Sequence, residues 1–276
     1  MNCCICGTVK NCGPYLNKVL NNMEKIGSIF ENYQIIIYYD HSTDNTLEII
    51  KNFQKNNDKL LLYVNQKLIS PFRTHNLAIA RNFCLEYVKN NKDKFPFFIM
   101  MDCDDVNCKE VNIDILKKYL YTNTWDGLSF NSSPKYYDIW GLSIYPFCFS
   151  YNHFEQNVKF YNIIQNYMDN LLKKVKSENR LLECISSFNG FSLYRTSKFL
   201  NTYYDGRVRL DLIPNENLQA HKKAAKSNLV FKQYFKPDGK INVDGLFEDC
   251  EHRAFHIQAR QNSGARIMIS PEVLFY

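Results

Sequence analysis

Three carboxylates lie within four positions at the end of an apolar segment. Phe97 to Met101 is an unbroken apolar run, and Asp102, Asp104 and Asp105 follow it directly. A short apolar run bounded by Pro96 predicts a buried strand rather than a helix. Crowded carboxylates repel one another, and a divalent cation bound by their oxygens would relieve that repulsion. Because ligands of open α/β sheets bind at the carboxyl ends of strands, the pattern favours a metal site over a solvated acidic turn.

Length and composition fit one large α/β domain. The 276 residues are 45% hydrophobic and 15% aromatic, which is enough for a continuous core. The formal net charge of +6 is modest and the basic residues are dispersed. This argues against nucleic-acid binding and favours a small anionic ligand. No apolar run approaches the length of a membrane span, and no signal peptide is recognisable, so we expect a cytoplasmic protein.

The ten cysteines predict reduced thiols, because the chain is long and carries no secretory signal. Four of them, Cys3, Cys4, Cys6 and Cys12, lie close together near the start and raise the alternative of a zinc site. No second Cys-x-x-Cys motif or histidine pair at ligand spacing accompanies them. Core cysteines in a first strand are therefore the favoured interpretation.

Strands and helices alternate before the acidic segment. The predicted elements are strands at Cys3–Val9, Gln34–Tyr39 and Leu60–Val64, and helices at Tyr15–Ile26, Leu47–Phe53 and Arg73–Val88. This order predicts an α/β fold with a mostly parallel sheet and helices on both faces. No glycine-rich phosphate motif follows a strand, which disfavours a dinucleotide dehydrogenase or a P-loop enzyme.

The second half has a less regular pattern. We predict helices at Val111–Tyr121, Phe154–Val175 and Phe247–Gln261, and strands at Trp125–Phe130, Leu181–Ser187 and Ala265–Ile269. The segment Thr202–Asn242 is polar and interrupted by proline and glycine, which predicts surface loops or a mobile flap. No linker divides the chain, so residues 1–276 are predicted to form a single domain.

Five stretches in order resemble the GT-A glycosyltransferases, especially the family 2-like group. They are an acid followed by a Ser-Thr-Asp-x-Thr turn, an Ala-Arg-Asn helix, a DxD motif, a glycine loop, and an acidic helix start with a later Gly-x-Arg-Ile strand: Tyr39–Thr46, Leu77–Asn82, Met101–Asp105, Phe188–Arg195, and Glu248–His252 with Gly264–Ile267. The resemblance implies a GT-A fold with a nucleotide-sugar-binding half (1–107) and an elaborated acceptor-side half (108–276). It also implies metal-dependent, inverting transfer of a sugar from a nucleotide-diphosphate sugar, UDP-linked before GDP-linked, to a glycan or glycoconjugate hydroxyl.

A finer resemblance concerns three short segments. Trp125–Gly127, Tyr137–Trp140 and Cys250–His252 are similar to a subgroup found in large DNA viruses and in fungal capsule-type mannosyltransferases. The abundance of Asn, Lys, Ile, Tyr and Phe agrees with a viral source, in which case the host cytoplasm is the expected location.

The family resemblance implies donor-binding residues at the strand ends. Asp104 would be the main ligand of Mn²⁺ or Mg²⁺, and Asp102 a second ligand or a contact to the ribose; Cys103 would line the same site. Asp40 would accept from the base and Thr8 would line the same pocket, although Asp40 as a helix-capping carboxylate remains an alternative. Arg81 would add a cation for the diphosphate, with an exposed arginine on a helix face as the alternative.

Catalytic residues are expected at the acidic helix start. Glu251 is the favoured general base and Asp249 the second candidate, while carboxylates at a helix start otherwise complement its dipole. His252 belongs to the same Cys-Glu-His triplet, and His256, one helical turn later, is a candidate metal ligand or a packed histidine.

The acceptor side is expected to include an aromatic surface and the glycine loop. The predicted substrate-binding residues are Asp138, Trp140, Asn189 and Gly190, with Trp140 able to stack on a sugar face. Two other functions remain open at this point. Asp102 to Val106 also fits the D-x-D-x-[T/V] motif of HAD-type phosphatases, and an inactive GT-A-like glycan-binding module would keep the fold without turnover.

Overall fold

The computed structural model describes residues 1–67, 69–149, 157–225 and 248–276. Within these ranges, eight strands form one sheet and seven α-helices surround it. The strands are β1 (Asn2–Val9), β2 (Asn32–Tyr39), β3 (Leu60–Val64), β4 (Phe97–Asp102), β5 (Gly127–Asn131), β6 (Leu182–Cys184), β7 (Phe191–Arg195) and β8 (Ile267–Val273). The helices are α1 (Gly13–Gly27), α2 (Thr46–Lys55), α3 (Arg73–Asn90), α4 (Ile113–Leu120), α5 (Asn157–Ser177), α6 (Asn215–Ala225) and α7 (Glu251–Ser263).

The sheet has the strand order β3-β2-β1-β4-β7-β5-β8-β6. The first four strands of the chain are mutually parallel, whereas β7 runs antiparallel to both β4 and β5. Strands β5 and β8 are parallel, and β6 closes the far edge antiparallel to β8. The predicted α/β fold, a mostly parallel sheet flanked by helices, is confirmed.

The central strands separate two hydrophobic cores. Along β1, Cys4 and Cys6 contribute to one core while Cys3 and Ile5 contribute to the other, as side-chain alternation in a strand requires. Strand β4 divides in the same manner between its alternate residues. Because both faces are covered, these strands are continuously apolar, and the early cysteines are core residues rather than a metal cluster. All ten cysteines are free.

The prediction of surface loops or a mobile flap at Thr202–Asn242 is wrong in part. Residues 215–225 form α6, which begins directly after Pro214. Thr202 and Tyr204 are buried against the rest of the protein rather than exposed. The composition rule failed because a proline can also directly precede a helix, where its carbonyl accepts the first helical hydrogen bond and its missing N–H costs nothing. Residues 226–247 lie outside the described residues, and they include Phe247, the predicted start of the last helix.

Helix α7 is enclosed by the protein. Its first nine residues, Glu251 to Ala259, are all buried, including two histidines and one arginine. Gly264 ends the helix in a left-handed conformation with φ of 63°, which is the usual role of glycine after a helix C-terminus. Polar side chains so deep in a protein need partners, and these partners define the candidate site. In the described parts of the chain, no helix combines the length and apolarity that crossing a membrane requires.

Candidate active site

The carboxyl ends of β1, β2 and β4 meet at one edge of the sheet. Thr8 in β1 pairs with Asp102 in β4, and Asp40 directly follows β2. These residues, with Cys103 and Asp104, line a cavity of about 610 Å³. Parallel strands expose their carboxyl ends together, so residues far apart in sequence converge here. The structure thus brings together five of the six predicted donor-site residues.

The acids at the end of β4 are not fully neutralised. Burial, and next the nearby charge of Asp102, raises the pKa of Asp104 to about 7. The backbone N–H of Val106 donates to Asp104 Oδ1 at 3.2 Å, which opposes this rise but does not cancel it. A carboxylate in this environment gains from a bound cation, because the cation offsets both the desolvation and the repulsion.

The glycine loop fixes the backbone at the end of β4. The N–H of Asp102 donates to the carbonyl of Gly190 at 2.8 Å, and Asn107 Nδ2 donates to the carbonyls of both residues. Gly190 has φ of 79°, and a Cβ at this position would lie 2.5 Å from the Tyr137 hydroxyl oxygen. Glycine is required here by both conformation and space, so the loop positions Asp102 through its backbone.

Asp40 is held by three donors at the far end of the cavity. Its Oδ2 accepts from Lys10 Nζ at 3.0 Å, while its Oδ1 accepts from Asn65 Nδ2 at 3.0 Å and from the N–H of His41. The capping interpretation belongs to another acid: Asp44 Oδ1 accepts from the N–H of Thr46, the first residue of α2. Asp40 is therefore placed to accept a hydrogen bond from a ligand.

Arg81 lies beneath the cavity rather than on an exposed helix face. Its side chain is 3% exposed, and its Nη2 lies 2.8 Å from Asp102 Oδ1 while its Nε lies 2.8 Å from Glu251 Oε1. One guanidinium thus joins the end of β4 to the start of α7. Burial lowers the pKa of Arg81, but the charges of Glu251 and Asp102 outweigh it and the net pKa is raised, so this cation is permanent.

The two candidate bases have different surroundings. Asp249 Oδ2 accepts from Arg253 Nε at 2.8 Å, and Arg253 also donates to the carbonyls of Trp140 and Leu142. Glu251 instead faces Arg81, and burial, partly offset by Arg81, raises the pKa of Glu251. A carboxylate with a raised pKa is the better proton acceptor at neutral pH.

The two histidines of α7 are buried and neutral. Burial, and next the charge of Arg253, lowers the pKa of His256 to about 3. Its Nδ1 is hydrogen-bonded with Ser186 Oγ and its Nε2 with the Tyr194 hydroxyl, each at 3.0 Å. With both nitrogens engaged in the core, we do not retain His256 among the proposed metal ligands. The His252 ring stacks on Phe188, with centroids 3.7 Å apart, beside Glu251.

A second cavity, of about 390 Å³, also has Asp104 in its wall. Its wall includes Lys135, Tyr137 and Asn189. Asn189 Nδ2 donates to the carbonyl of Phe130, and its Oδ1 accepts from the N–H of Asp138, so this amide holds the loop in place. Because Asp104 lines both cavities, a ligand in each would meet at this carboxylate.

Two further predicted residues shape the loop beside the second cavity. Asp138 accepts from the N–H groups of Gly141 and Asn189, and burial raises the pKa of Asp138. The indole nitrogen of Trp140 is buried without a hydrogen-bond partner among the described residues. Neither Asp138 nor Trp140 forms part of the wall described above, so their contact with a substrate stays a prediction.

Sequence reasoning missed several residues that line the cavities. Lys10 and Arg73 supply positive charge to the larger cavity, and Lys135 lines the smaller one. Lys10 follows β1 directly and Arg73 begins α3, and both positions belong to the ligand-binding edge of such a sheet. The same strand-end rule that identified Asp104 could therefore have identified Lys10, whereas Arg73 follows no strand directly.

This fold is that of a GT-A glycosyltransferase domain. The family model described as "Glycosyl transferase family 2" matches residues 4–172, which is more than half of the chain. The chain belongs to this family.

A curated relative gives a more limited match. An uncharacterized glycosyltransferase of Mycoplasma genitalium, MG060, is 28% identical over 131 residues, which are 47% of this chain and 39% of the relative. The matched region therefore spans well under half of the relative's length.

Two solved structures have a similar architecture at low identity. S. aureus TarS 1-349 in complex with UDP-GlcNAc is 15% identical with a TM-score of 0.48, covering 100% of this chain and 58% of that chain. The mannosyltransferase PcManGT of Pyrobaculum calidifontis, in complex with GDP-Man and Mn²⁺, is 14% identical with a TM-score of 0.44, covering 74% and 47%.

Proposed function

We propose that the protein transfers a sugar from a nucleotide-diphosphate sugar to a hydroxyl of a glycan or glycoconjugate. The observation that carries this proposal is the position of Asp104, which lines two cavities at the carboxyl edge of the sheet. The larger cavity would take the nucleotide and the smaller one the acceptor. The bond to be broken would then lie next to the acidic strand end, where a cation can stabilise the leaving diphosphate.

Mn²⁺ or Mg²⁺ is the proposed cofactor, held by Asp104 and Asp102. The donor set fits, because both ions prefer carboxylate oxygens and Mg²⁺ in particular is usually held by one or two carboxylates plus substrate phosphates. Among the described residues no group of three or more His, Cys, Asp or Glu side chains forms a ready-made metal site. We therefore expect the ion to bind tightly only together with the diphosphate, whose developing charge it would offset.

The other residues of the larger cavity would orient the nucleotide. Asp40 Oδ2 and Lys10 Nζ present an acceptor beside a donor, which suits the edge of a base with adjacent N–H and C=O groups. Thr8 would lie against the nucleoside, and Arg73 is the cation we assign to the diphosphate in place of the buried Arg81. UDP is the proposed nucleotide, with GDP as the alternative.

Glu251 is the proposed general base. The attacking hydroxyl must lose a proton, and Asp249 is already engaged by the buried cation Arg253. Glu251 has a raised pKa. Two ion pairs that share Arg81 also connect Glu251 to Asp102, at the strand end that would hold the donor. A base separate from the departing diphosphate favours an inverting reaction. The His252 ring, stacked on Phe188 beside Glu251, would exclude water from Glu251.

The finer assignment to viral and fungal capsule-type mannosyltransferases is part of this proposal, and it rests on Trp125–Gly127, Tyr137–Trp140 and Cys250–His252. It makes GDP-mannose the donor to test after the UDP-sugars. The phosphatase alternative is set aside, because the chain belongs to glycosyl transferase family 2. The inactive binding module is separated from an enzyme by turnover alone.

Thermal unfolding with Mn²⁺ and UDP, GDP, CDP or dTDP tests the donor site. A ligand that binds only the folded protein stabilises it by about 2.7 kcal/mol at one hundred times its Kd. We expect one nucleotide to raise the Tm, and Asp104→Asn to remove this effect. The control is Asp105→Asn, since Asp105 is an exposed neighbour that does not line the larger cavity.

Turnover is measured next, as nucleotide release from the matching UDP- or GDP-sugars. No Tm shift with any nucleotide, or an equal shift in Asp104→Asn, would refute the proposed donor site. A metal-dependent shift without any turnover on a range of glycan acceptors would favour the binding module.

A further inference from the structure

We propose that Arg81 is a positioning residue. It couples the binding of the donor complex at Asp102 to the strength of the interaction between Arg81 and Glu251. This inference rests on the proposed function, since it takes Asp102 as part of the donor site. It assigns Arg81 a role other than direct contact with the diphosphate.

The geometry places one cation between two carboxylates from distant parts of the chain. Arg81 belongs to α3, Asp102 ends β4, and Glu251 begins α7. The two ion pairs use different nitrogens, Nη2 and Nε, each at 2.8 Å. A guanidinium is planar and rigid, so any movement that improves one pair changes the other. The Phe188 ring, 4.5 Å from the Arg81 guanidinium carbon, limits such movement to a small range.

The exposure of the three groups gives the coupling a direction. Asp102 is 24% exposed and faces the donor side, whereas Arg81 and Glu251 are 3% and 4% exposed. When a donor complex adds charge at Asp102, that charge therefore acts on Arg81 and Glu251 with little screening by solvent. When a bound cation takes a share of the Asp102 charge, Arg81 interacts more strongly with Glu251. The effect is reciprocal, because linked binding free energies are equal in both directions.

Unpaired polar atoms surround this bridge. Among the described residues, Arg81 Nε and Nη1, both ring nitrogens of His252 and the Tyr204 hydroxyl are buried without a hydrogen-bond partner, so the contact between Arg81 Nε and Glu251 is an ion pair and not a hydrogen bond. The Tyr204 and His252 rings lie 5.2 Å apart and the His252 ring stacks on Phe188. Buried polar groups are otherwise almost always paired, so this cluster is built for a rearrangement or for water rather than for maximal stability.

The neighbouring acid shows what an uncoupled pair looks like. Asp249 is also at the start of α7, but its cation Arg253 donates to three carbonyls, those of Leu142, Trp140 and Cys148. The described contacts of Arg253 join Asp249 to the segment from Trp140 to Cys148 rather than to the strand end at Asp102. Coupling to the donor site is therefore specific to Glu251 rather than a general property of acids in this segment.

The experiment compares Glu251→Gln with Glu248→Gln. Each substitution removes one negative charge and keeps the side-chain shape, but Glu248 Oε1 accepts from the N–H of Thr74 instead of pairing with Arg81. With Glu251 neutral, the Arg81 charge acts undivided on Asp102 and weakens its attraction for a cation. We expect the Kd of the Mn²⁺ complex of UDP, or of GDP if GDP is the nucleotide that binds, to rise about fivefold in Glu251→Gln. Glu248→Gln should change it less than twofold.

A second variant tests the route of the coupling. Lysine keeps the charge of Arg81 but lacks the fork that engages both carboxylates. In the Arg81→Lys background, Glu251→Gln should therefore change the Kd less than twofold. Calorimetric titration gives the Kd directly, and the Tm of each variant shows whether it is folded; if Arg81→Lys does not fold, the first comparison decides alone.

The possible results separate this inference from the proposed function. Equal changes in Kd for Glu251→Gln and Glu248→Gln, or tighter binding in Glu251→Gln, would overturn the coupling through Arg81. Failure of the wild type to bind any Mn²⁺–nucleotide complex would instead overturn the proposed donor site.

Discussion

Asp104→Asn is expected to stabilise the metal-free protein while removing its response to Mn²⁺ and nucleotide. The substitution is nearly isosteric, and the asparagine oxygen can still accept from the N–H of Val106. It removes a charge that is crowded by Asp102 and partly buried. A functional carboxylate that lowers the stability of its own fold is the expected consequence of placing acids at this strand end.

The magnitude follows from the pKa of Asp104. Burial and the Asp102 charge raise the pKa from 3.8 to about 7. One pKa unit corresponds to about 1.36 kcal/mol, so the full effect has an upper limit of about 4 kcal/mol above pH 7. Asp104 is partly exposed, and solvent screening leaves roughly 2 kcal/mol of this. For a protein of this size, the expected rise in Tm is about 4–8 °C.

The pH dependence gives this prediction a distinctive sign. Because the pKa of Asp104 is higher in the folded protein than in the unfolded chain, ionisation favours unfolding. Below pH 3.8, Asp104 is protonated in both states and the wild type keeps its full stability. This stability is lost as the pH rises through about 7, where Asp104 ionises in the folded protein. The difference between variant and wild type should therefore be small near pH 4, grow up to pH 7, and stay constant above it.

Thermal and urea unfolding in EDTA, from pH 4 to pH 8, provide the assay. Asp105→Asn is the control, since Asp105 is exposed and should shift the Tm little at any pH. A metal-free Asp104→Asn protein that is less stable than the wild type at pH 8 would refute the reasoning. So would a difference that does not change between pH 4 and pH 8.

Three further substitutions test the rest of the site. Glu251→Gln should lower kcat at least about a hundredfold with saturating donor, the smallest usual contribution of a general base; an unchanged kcat would place the base elsewhere. Asp40→Ala should raise the nucleotide Kd about tenfold or more by removing a charged acceptor, and an unaltered Kd in titrations would contradict the assigned base contact. Gly190→Ala should lower the free energy of unfolding by about 1–3 kcal/mol, because Gly190 has φ of 79° and its Cβ would meet the Tyr137 hydroxyl. Urea unfolding that shows no loss would mean that the loop adapts.

The fold of the first half was predictable because its signals are local. Each strand is a short apolar run, each helix has an apolar stripe, and the alternation leaves few possible topologies. The second half depends on pairings that the chain order does not show. Strand β7 inserts antiparallel between β4 and β5, and β6 pairs with the last strand, so only the structure reveals which elements are neighbours.

The candidate site, like the fold, was predictable from the sequence only in part. Asp40, Asp102 and Asp104 lie at or just after strand ends, and the strand-end rule alone brings them to one edge. The cation Lys10 obeys that rule too, but Arg73 begins a helix, and isolated basic residues carry no motif. Whether a given acid is engaged elsewhere cannot be deduced from spacing, as Asp249 and Glu251 show: they are two positions apart, and their partners Arg253 and Arg81 lie on different helices.

The burial of Arg81 is understood only from the structure of α3. Ala78, Cys84, Leu85 and Val88 form the buried stripe of α3, and Arg81 falls on this stripe at helical spacing. An arginine at such a position is almost never buried without a carboxylate partner, because the cost of an unpaired buried charge is several kcal/mol. The buried position of Arg81 on α3 therefore requires at least one acid beside it in the fold. The structure supplies two, Asp102 and Glu251, and since one cation cannot neutralise both, the bridge keeps a net negative charge beside the site proposed for the metal ion.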